Sequence, residues 1–265
     1  MYGTYDIPKP SQPLISTKHG VVAGIGIGIL FCLIMNTYQH HWNTLPTLTL
    51  SAATDLGCFP LPTIDVPSCP STIQADISQR LVDRSPFPQT HVDICYTDTS
   101  IELSFHAKEQ INFMTNPEYG YNDNIWQYNV METFISLGTQ DPATYFEFEV
   151  SPTNQSYGAF VFNPHKDFSS PIGHFFVGAN VDEARSFGIS VSTQSNEETQ
   201  MWSANASFPL TLFNVDIPQG TTWRMNFFRK ITSPSIFPAQ DCGAWNAPNQ
   251  YNFHETPCFG LVRFV

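Results

Sequence analysis

The chain has 265 residues, of which 42% are hydrophobic, 14% aromatic and only 13% charged. This charged fraction is about half that of an average soluble domain, which argues against a charge-rich disordered segment and against a coiled coil. The 11 basic and 23 acidic residues give a net charge of -12, and because binding to phosphates requires a basic patch, nucleic acid is not expected as a partner.

An apolar segment lies near the start of the chain. Residues 21–35 read VVAGIGIGILFCLIM and contain no polar side chain. Because a bilayer span takes about 17–25 residues, we extend the segment and predict a transmembrane signal-anchor helix over residues 21–38. Two lysines precede it and the next basic residue is Arg80, so the positive-inside rule makes residues 1–20 a cytoplasmic tail and predicts a single-pass type II membrane protein of the secretory pathway or cell surface. The alternative is a cleaved signal peptide, which would make the protein secreted.

Glycines recur at four-residue intervals around this segment. Gly20, Gly24 and Gly28 form two overlapping G-x-x-x-G steps, a pattern that allows two membrane helices to approach closely. A homodimer through these glycines is one interpretation. The other is that glycine is simply common in membrane spans.

The chain after the predicted span changes character near residue 90. Residues 39–90 are rich in Pro and Thr, which predicts an extended stalk and the entry to a domain. From residue 91 onward short strands are predicted, because apolar and polar residues alternate in 101–106 and again in 146–150. Pro152 and the three residues after it predict a turn into a further strand and hence a hairpin.

More strands of this kind follow to the end of the chain, and no stretch of ten or more residues after the span has a helical period. We expect them at 130–136, 174–178, 186–193, 200–208, 222–230 and 260–265. Short strands separated by turn residues predict an all-β fold, an antiparallel β-sandwich over residues 91–265.

Two triplets in this predicted domain have the form of glycosylation acceptors. Asn154 begins Asn-Gln-Ser and Asn205 begins Asn-Ala-Ser. Glycosylation of either asparagine requires that the domain be exported, in agreement with the predicted topology.

Cysteine spacing excludes two common sites. Cys32 lies in the predicted span, and the five cysteines after it contain no C-x-x-C, so zinc-finger and thioredoxin-like sites are excluded. Cys242 and Cys258 flank one aromatic loop, and we expect them to form a disulfide. The three other cysteines are Cys58, Cys69 and Cys95. Two of them can form a disulfide, and the third stays free or links two chains.

The common catalytic motifs are missing from the sequence. It contains no G-x-S-x-G, H-E-x-x-H, P-loop or glycine-rich dinucleotide motif, so we expect no enzyme and no cofactor. Met114, Met131 and His174 are available as axial ligands, which keeps an enzyme or a haem-type redox domain as the third interpretation.

One aromatic and acidic cluster is more informative. Residues 122–135 begin as a polar turn and continue as a strand, with Trp126 in the turn and Glu132 on the strand face of Val130 and Phe134. A carboxylate on an apolar face is costly unless it is bonded. A tryptophan beside such a carboxylate suits sugar binding, since the ring stacks on the C–H face of the sugar and the carboxylate accepts hydroxyl hydrogen bonds. The alternative is a core tryptophan with a structural glutamate.

Four segments in the right order resemble family 9 carbohydrate-binding modules, and the similarity covers about residues 90–265. It is closest to the fungal branch of that family, which is secreted or membrane-anchored. The segments are Trp126-x5-Glu132, Tyr145–Val150, Trp223–Arg229 and Gly243–Gly260.

The resemblance implies a jelly-roll β-sandwich that clamps a sugar between aromatic rings, a reducing end in characterised members. Trp126 would be one stacking face, Glu132 a hydroxyl acceptor and Trp245 the opposing ring. Asn226 and Arg229 lie on a motif strand and would face either the sugar or the interior.

The predicted function is therefore a lectin-like, carbohydrate-binding module for poly- or oligosaccharides, displayed on the lumenal or extracellular side of a membrane. The family resemblance also implies structural calcium, for which oxygens of the polar turn such as those of Asp123 are candidates. The second interpretation is a structural or protein-interaction sandwich that has lost its sugar site and pairs through the span glycines and the odd cysteine.

Overall fold

The structure is a computed structural model, and strands dominate the part of the chain that it describes. Two facing sheets confirm the predicted all-β, sandwich-like architecture. The predicted cytoplasmic tail and membrane span lie outside the described residues, and within the described part no helix has the length and apolarity needed to cross a bilayer. The described residues are 58, 60–108, 113–166, 171–196, 198–199 and 201–265.

The smaller sheet has five antiparallel strands in the order β10-β11-β5-β4-β2. Its inner face is apolar and its outer face polar, as the period-2 pattern of β5 predicts. The strands are β2 (Ile73–Asp76), β4 (Thr90–Tyr96), β5 (Ser100–Ala107), β10 (Ser190–Asn196) and β11 (Met201–Pro209).

The larger sheet has nine strands, seven of them in the order β1-β14-β12-β6-β7-β8-β9, with β13 joining β12 to β3. Every pairing in it is antiparallel except that of β1 with β14. The strands are β1 (Thr63–Val66), β3 (Gln79–Arg80), β6 (Val130–Leu137), β7 (Thr144–Val150), β8 (Ser156–Phe162), β9 (Gly173–Phe176), β12 (Thr222–Ile231), β13 (Asp241–Ala244) and β14 (Gly260–Phe264).

The main core lies between the two sheets and is rich in aromatic rings. Phe148 of β7 meets Phe208 of β11 edge to face, with ring centroids 4.8 Å apart. Full burial of each such side chain contributes about 1.5–3 kcal/mol. A second apolar cluster lies on the opposite, outer face of the larger sheet, around Phe134, Phe228 and Phe259. That face is therefore covered as well.

The predicted hairpin is present, since β7 and β8 pair antiparallel from Thr144↔Phe162 to Val150↔Ser156. Asn154 at its tip has a φ of 65°, a left-handed conformation that asparagine tolerates better than most residues. This side chain is exposed, and so is that of Asn205 on β11.

Two features differ from the predicted layout. Strands β1 to β3 fall in the stretch expected to be stalk and domain entry, and Thr63 pairs with Leu261 in the larger sheet, so the sandwich begins before residue 91. Flanking prolines hid these short strands. A short helix, α1 (Val181–Ser186), was not predicted, since its six residues are too few to show a helical period. Asn180 caps it by accepting the N–H groups of residues 182 and 183.

The predicted disulfide between Cys242 and Cys258 is wrong. Cys258 is bonded to Cys58, and Cys69 to Cys95. Cys242 lies on β13 opposite Lys230 of β12 and is a buried free thiol. Burial raises the pKa of the Cys242 thiol to about 11. Because the thiolate is the reactive form of cysteine, burial and the raised pKa make this thiol ill suited to a covalent dimer.

Candidate functional site

A cavity of about 660 Å³ opens on the outer face of the larger sheet. Strands β6 to β9, β12 and β13 form its floor, because the side chains of alternate residues point away from the core. A short 3-10 helix (Ile125–Gln127) and the loop before the final strand provide its walls. The lining comprises Asn122, Asn124, Trp126, Glu132, Glu147, Glu149, Tyr157, Pro171, His174, Phe176, Lys230, Gln240, Cys242, Tyr251, Asn252, Phe253 and His254.

The floor holds three glutamates and one lysine, all buried. Glu132 of β6 lies directly opposite Glu149 of β7, and Glu147 precedes Glu149 by two residues on the same face. One oxygen of each carboxyl group lies within 4.8 Å of the other two. Lys230 Nζ of β12 lies 3.1 Å from Glu132 Oε1. A single ammonium group therefore lies beside three carboxyl groups, and the potential negative charge of the floor exceeds its positive charge.

This charge imbalance sets the protonation of the floor. Burial, followed by repulsion from neighbouring carboxylates, raises the pKa of Glu147 to about 8 and raises the pKa of Glu149 well above its usual value. Burial would lower the pKa of Lys230, but the nearby carboxylates, Glu132 first, outweigh it and the pKa is raised. Burial also raises the pKa of Glu132, and the charge of Lys230 beside it opposes that rise. Lys230 thus pairs with Glu132, while Glu147 keeps its proton at neutral pH. The floor then offers hydroxyl donors as well as carboxylate acceptors.

Two histidines line the side of the cavity nearest β9. The Nδ1 atom of His174 lies 2.6 Å from the Tyr157 hydroxyl and 3.9 Å from Glu147 Oε2. Burial, then the charges of His174 and Lys230, lower the pKa of His254 to about 3. His254 is therefore a neutral hydrogen-bonding group at physiological pH.

Aromatic rings surround the mouth of the cavity. The Trp126 side chain is 44% exposed and Tyr251 is 61% exposed. Lys230 Nζ lies 5.3 Å from the centroid of the Trp126 ring and 4.6 Å from that of Phe253. Phe253 stacks on Phe228 below it at 4.1 Å. Apolar ring surfaces at the mouth and a polar floor make this cavity suited to a ligand with both C–H faces and hydroxyl groups.

Two of the predicted binding residues lie in this cavity, and three do not. Trp126 and Glu132 both line it. Trp245 continues β13, and its backbone N–H donates to the Phe227 carbonyl. This pairing turns the indole towards the interior. There it packs on the Phe227 ring at 5.6 Å and against Gly260, where a side chain would collide with it. Trp245 packs against the core and does not line the cavity.

The polar residues predicted on β12 also have structural roles. Asn226 is buried under the final loop, where its Nδ2 donates to the Asn246 carbonyl and its Oδ1 accepts the Asn246 N–H. Arg229 points between the sheets and donates to the Thr90 hydroxyl at 2.7 Å. Because side chains alternate along a strand, it is the neighbouring Lys230 that reaches the cavity.

Most of the cavity residues carry no local signal in the sequence. Glu147 and Glu149 alternate with phenylalanines, a pattern that predicts a solvated face, and the pattern cannot reveal that a loop covers that face. Tyr251 and Phe253 lie on the final loop, where the family resemblance pointed to Trp245. Of the three residues named as possible axial ligands, Met131 lies in the main core, His174 lines the cavity and Met114 does not.

Two groups of side chains in the described part of the chain have metal-ligand spacing. One is the glutamate trio of the floor, where Lys230 already provides a positive charge. The other is His91, Asp93 and His106 on the opposite sheet. The Asp123 carboxylate, a predicted calcium ligand, accepts the Gly120 N–H at 2.6 Å and so holds its own turn.

Comparisons with known proteins agree with this architecture. No protein-family model matches the chain. A candidate carbohydrate-binding protein of Bacteroides uniformis has a similar fold, with a TM-score of 0.58 and 15% identity over 77% of this chain and all of that one. A family 9 carbohydrate-binding module of Caldicellulosiruptor kristjanssonii, solved with cellotriose, gives a TM-score of 0.50 and 11% identity over 77% of this chain and 93% of that one. At such low identity, these structural matches show a shared fold alone.

A much closer relative exists in sequence. An extracellular protein of Arthroderma benhamiae is 43% identical over 220 residues, which cover 82% of this chain and 97% of that protein. The chain belongs to the family of this extracellular protein.

Proposed function

We propose that the chain is a non-catalytic module that binds carbohydrate in the cavity on the larger sheet. The observation that carries this proposal is the position of Trp126, whose half-exposed ring stands at the mouth above the buried Glu132. An exposed tryptophan offers a flat apolar face for the C–H side of a sugar ring. The floor below supplies hydrogen-bonding groups, and the volume falls within the range of about 300–1,000 Å³ usual for small-molecule sites.

The roles of individual residues follow from their positions. Trp126 is the stacking platform, and Glu132 accepts hydroxyl hydrogen bonds while Lys230 holds its charge. The protonated carboxyl of Glu147 donates to a sugar oxygen. Phe253 and Tyr251 replace Trp245 as the opposing aromatic surface. With so few polar contacts and one or two rings, the affinity falls in the range of about micromolar to millimolar.

The fold neighbours indicate which sugars to test first. The module of Caldicellulosiruptor kristjanssonii was solved with cellotriose, so short cello-oligosaccharides are the first probes. A glycan array extends the search to other sugars.

The experiment measures binding of the purified full-length protein by glycan array and by isothermal titration calorimetry. We expect saturable binding that Trp126→Ala abolishes and that Phe187→Ala leaves unchanged. Phe187 is a matched control, because this aromatic ring is 48% exposed at the end of α1 and does not line the cavity. A folded wild-type protein that binds no glycan would refute the proposal and favour the protein-interaction interpretation.

The proposal extends to the placement of the module. Residues 21–38 anchor it as a type II span with residues 1–20 in the cytoplasm, and the sandwich faces the lumen or the exterior. The exposed acceptors Asn154 and Asn205 carry glycans. Support comes from the two disulfides, which are typical of exported proteins.

Two measurements test this placement. Alkaline extraction of membranes retains an anchored chain and releases one whose segment has been cleaved. Asn154→Gln and Asn205→Gln each remove one glycan and so increase the electrophoretic mobility of the chain. A mobility that neither variant changes would contradict export. Cross-linking of Gly24→Leu against wild type tests a dimer through the span glycines.

A further inference from the structure

The second group of metal-ligand side chains lies far from the cavity in the fold, on the outer face of the five-stranded sheet. His91 and Asp93 are two residues apart on β4, so their side chains leave the sheet on the same side. His106 of β5 lies directly opposite His91. Side chains of directly opposed residues in an antiparallel pair also share a face. The register of two strands thus brings two imidazoles and one carboxylate together.

The three side chains are already close to one another. Their potential ligand atoms all lie within 4.8 Å of each other. His106 Nε2 is 3.4 Å from Asp93 Oδ2, and the His91 and His106 rings stack with centroids 4.8 Å apart. In a tetrahedral site with bonds of about 2.0–2.1 Å, ligand atoms are about 3.3 Å apart. Closing the remaining gap of at most about 1.5 Å takes only small rotations of half-exposed side chains.

A simple surface ion pair does not account for the whole arrangement. It explains Asp93 and His106, but it leaves His91, whose ring contact in the described part of the chain is another imidazole. Asp76 lies opposite His91 on β2 and adds negative charge beside the group.

From this geometry we infer that His91, Asp93 and His106 form a site for a divalent transition-metal ion of the zinc type, with a fourth position open to solvent. Two imidazole nitrogens and one carboxylate oxygen are ligands that suit zinc and its neighbours rather than calcium or magnesium. The three-ligand, open arrangement leaves room for water or for a group of a bound molecule. The site is independent of the proposed carbohydrate function, since it lies on the other sheet.

The test titrates Zn²⁺ alone into the full-length protein at pH 7.5, produced without a polyhistidine tag. We expect one equivalent of Zn²⁺ per chain by calorimetry, confirmed by equilibrium dialysis with elemental analysis. Co²⁺ in place of Zn²⁺ gives visible absorption bands that report the ligand set. Ca²⁺ does not compete.

Three variants and two controls locate the metal. His91→Asn, His106→Asn and Asp93→Asn each weaken Zn²⁺ binding at least about tenfold, a loss that removal of even an outer-shell partner causes. The exposed His165, changed to Asn, serves as the histidine control and leaves binding intact. Glu147→Gln, in the floor of the cavity, also leaves it intact.

The proposal would be overturned by the absence of saturable Zn²⁺ binding in the wild type, or by full retention of binding in His91→Asn. Loss of binding in Glu147→Gln alone would place the metal in the cavity and equally refute it. Circular dichroism checks that each variant is folded. Since the three positions are on the sheet surface, a variant that did unfold would leave the other two to decide.

Discussion

Lys230 Nζ lies 3.1 Å from Glu132 Oε1 in the floor of the cavity, and both side chains are largely shielded from water. The two residues are on the neighbouring strands β12 and β6, diagonally across the ladder, since Lys230 pairs with Val130 and Phe228 pairs with Glu132. The same lysine also lies near the Trp126 ring. One ion pair thus connects the stability of the larger sheet with the arrangement of the proposed sugar platform.

Removal of the lysine from this pair tests its contribution to stability. Lys230→Met leaves a buried carboxylate without its partner, which costs about 3–5 kcal/mol of unfolding free energy at pH 7. The loss shrinks in acid, because Glu132 can then take up a proton. Urea unfolding at pH 5 and pH 7 measures both values.

Two further variants serve as controls for this prediction. Glu132→Gln added to Lys230→Met restores much of the stability, because no unpaired charge remains. Arg263→Met removes an exposed pair with Asp65 and costs at most about 1 kcal/mol. Equal losses in Lys230→Met and Arg263→Met would contradict the role assigned to the buried pair.

The protonated glutamates predict an unusual dependence of stability on pH. The pKa of Glu147 is raised from 4.5 to about 8 in the folded state, so between these values the folded chain binds more protons than the unfolded chain. The contribution of Glu147 to the free energy of unfolding therefore falls as the pH rises from about 4.5 to about 8, by about 1.4 kcal/mol per pH unit. The stabilising effect is complete below pH 4.5 and lost above pH 8.

Urea unfolding at several pH values between 5 and 8 measures this slope. Glu147→Gln carries a neutral side chain at every pH, so its slope is shallower than that of the wild type. Equal slopes in the wild type and in Glu147→Gln would show that Glu147 is ionised in the folded state.

Most strands around the cavity were predictable because they carry a local pattern, whereas the four-residue strand β13 was not predicted. Alternation in 146–150 and 130–136 fixes which residues share a face, and this local rule holds once the sheet forms. Trp126 and Glu132 were found for the same reason, together with the family resemblance.

The other residues of the site depend on what covers the outer face of the sheet. Glu147 and Glu149 have the period of solvated positions, yet they are 4% and 2% exposed because the final loop lies over that face of the sheet. The link between Cys58 and Cys258 joins residues 200 positions apart, and local spacing favoured the nearer cysteine. Burial by distant segments is a property of the whole fold, which no local period reports.

The observed disulfide pairing has a consequence for stability. The Cys58–Cys258 bond closes a loop of 200 residues, so the double variant Cys58→Ser/Cys258→Ser loses about 2–5 kcal/mol. Cys242→Ala has a much smaller effect, because that thiol cross-links nothing. Thermal unfolding compares the variants, and peptide mapping without reduction identifies the pairs. A peptide that links residues 242 and 258 would contradict the assignment.

Adjacent phenylalanines of β9 provide a sharp test of the proposed sugar site. Phe176 lines the cavity and meets the Tyr157 ring edge to face at 5.6 Å, whereas Phe175 points to the other side of the strand and is 64% exposed. Phe176→Ala removes apolar surface from the mouth and lowers sugar affinity about tenfold, the equivalent of about 1.4 kcal/mol. Phe175→Ala removes a ring of the same size from the same strand and leaves affinity unchanged. Calorimetry with the best ligand from the array compares the affinities of the two variants. Tyr157 also forms a hydrogen bond with His174, so a variant that shifted His174 would show an altered pH dependence of binding. An equal loss of affinity in both variants would mean that β9 affects binding through the stability of the sheet edge. Phe176 would then not be part of the sugar-binding surface.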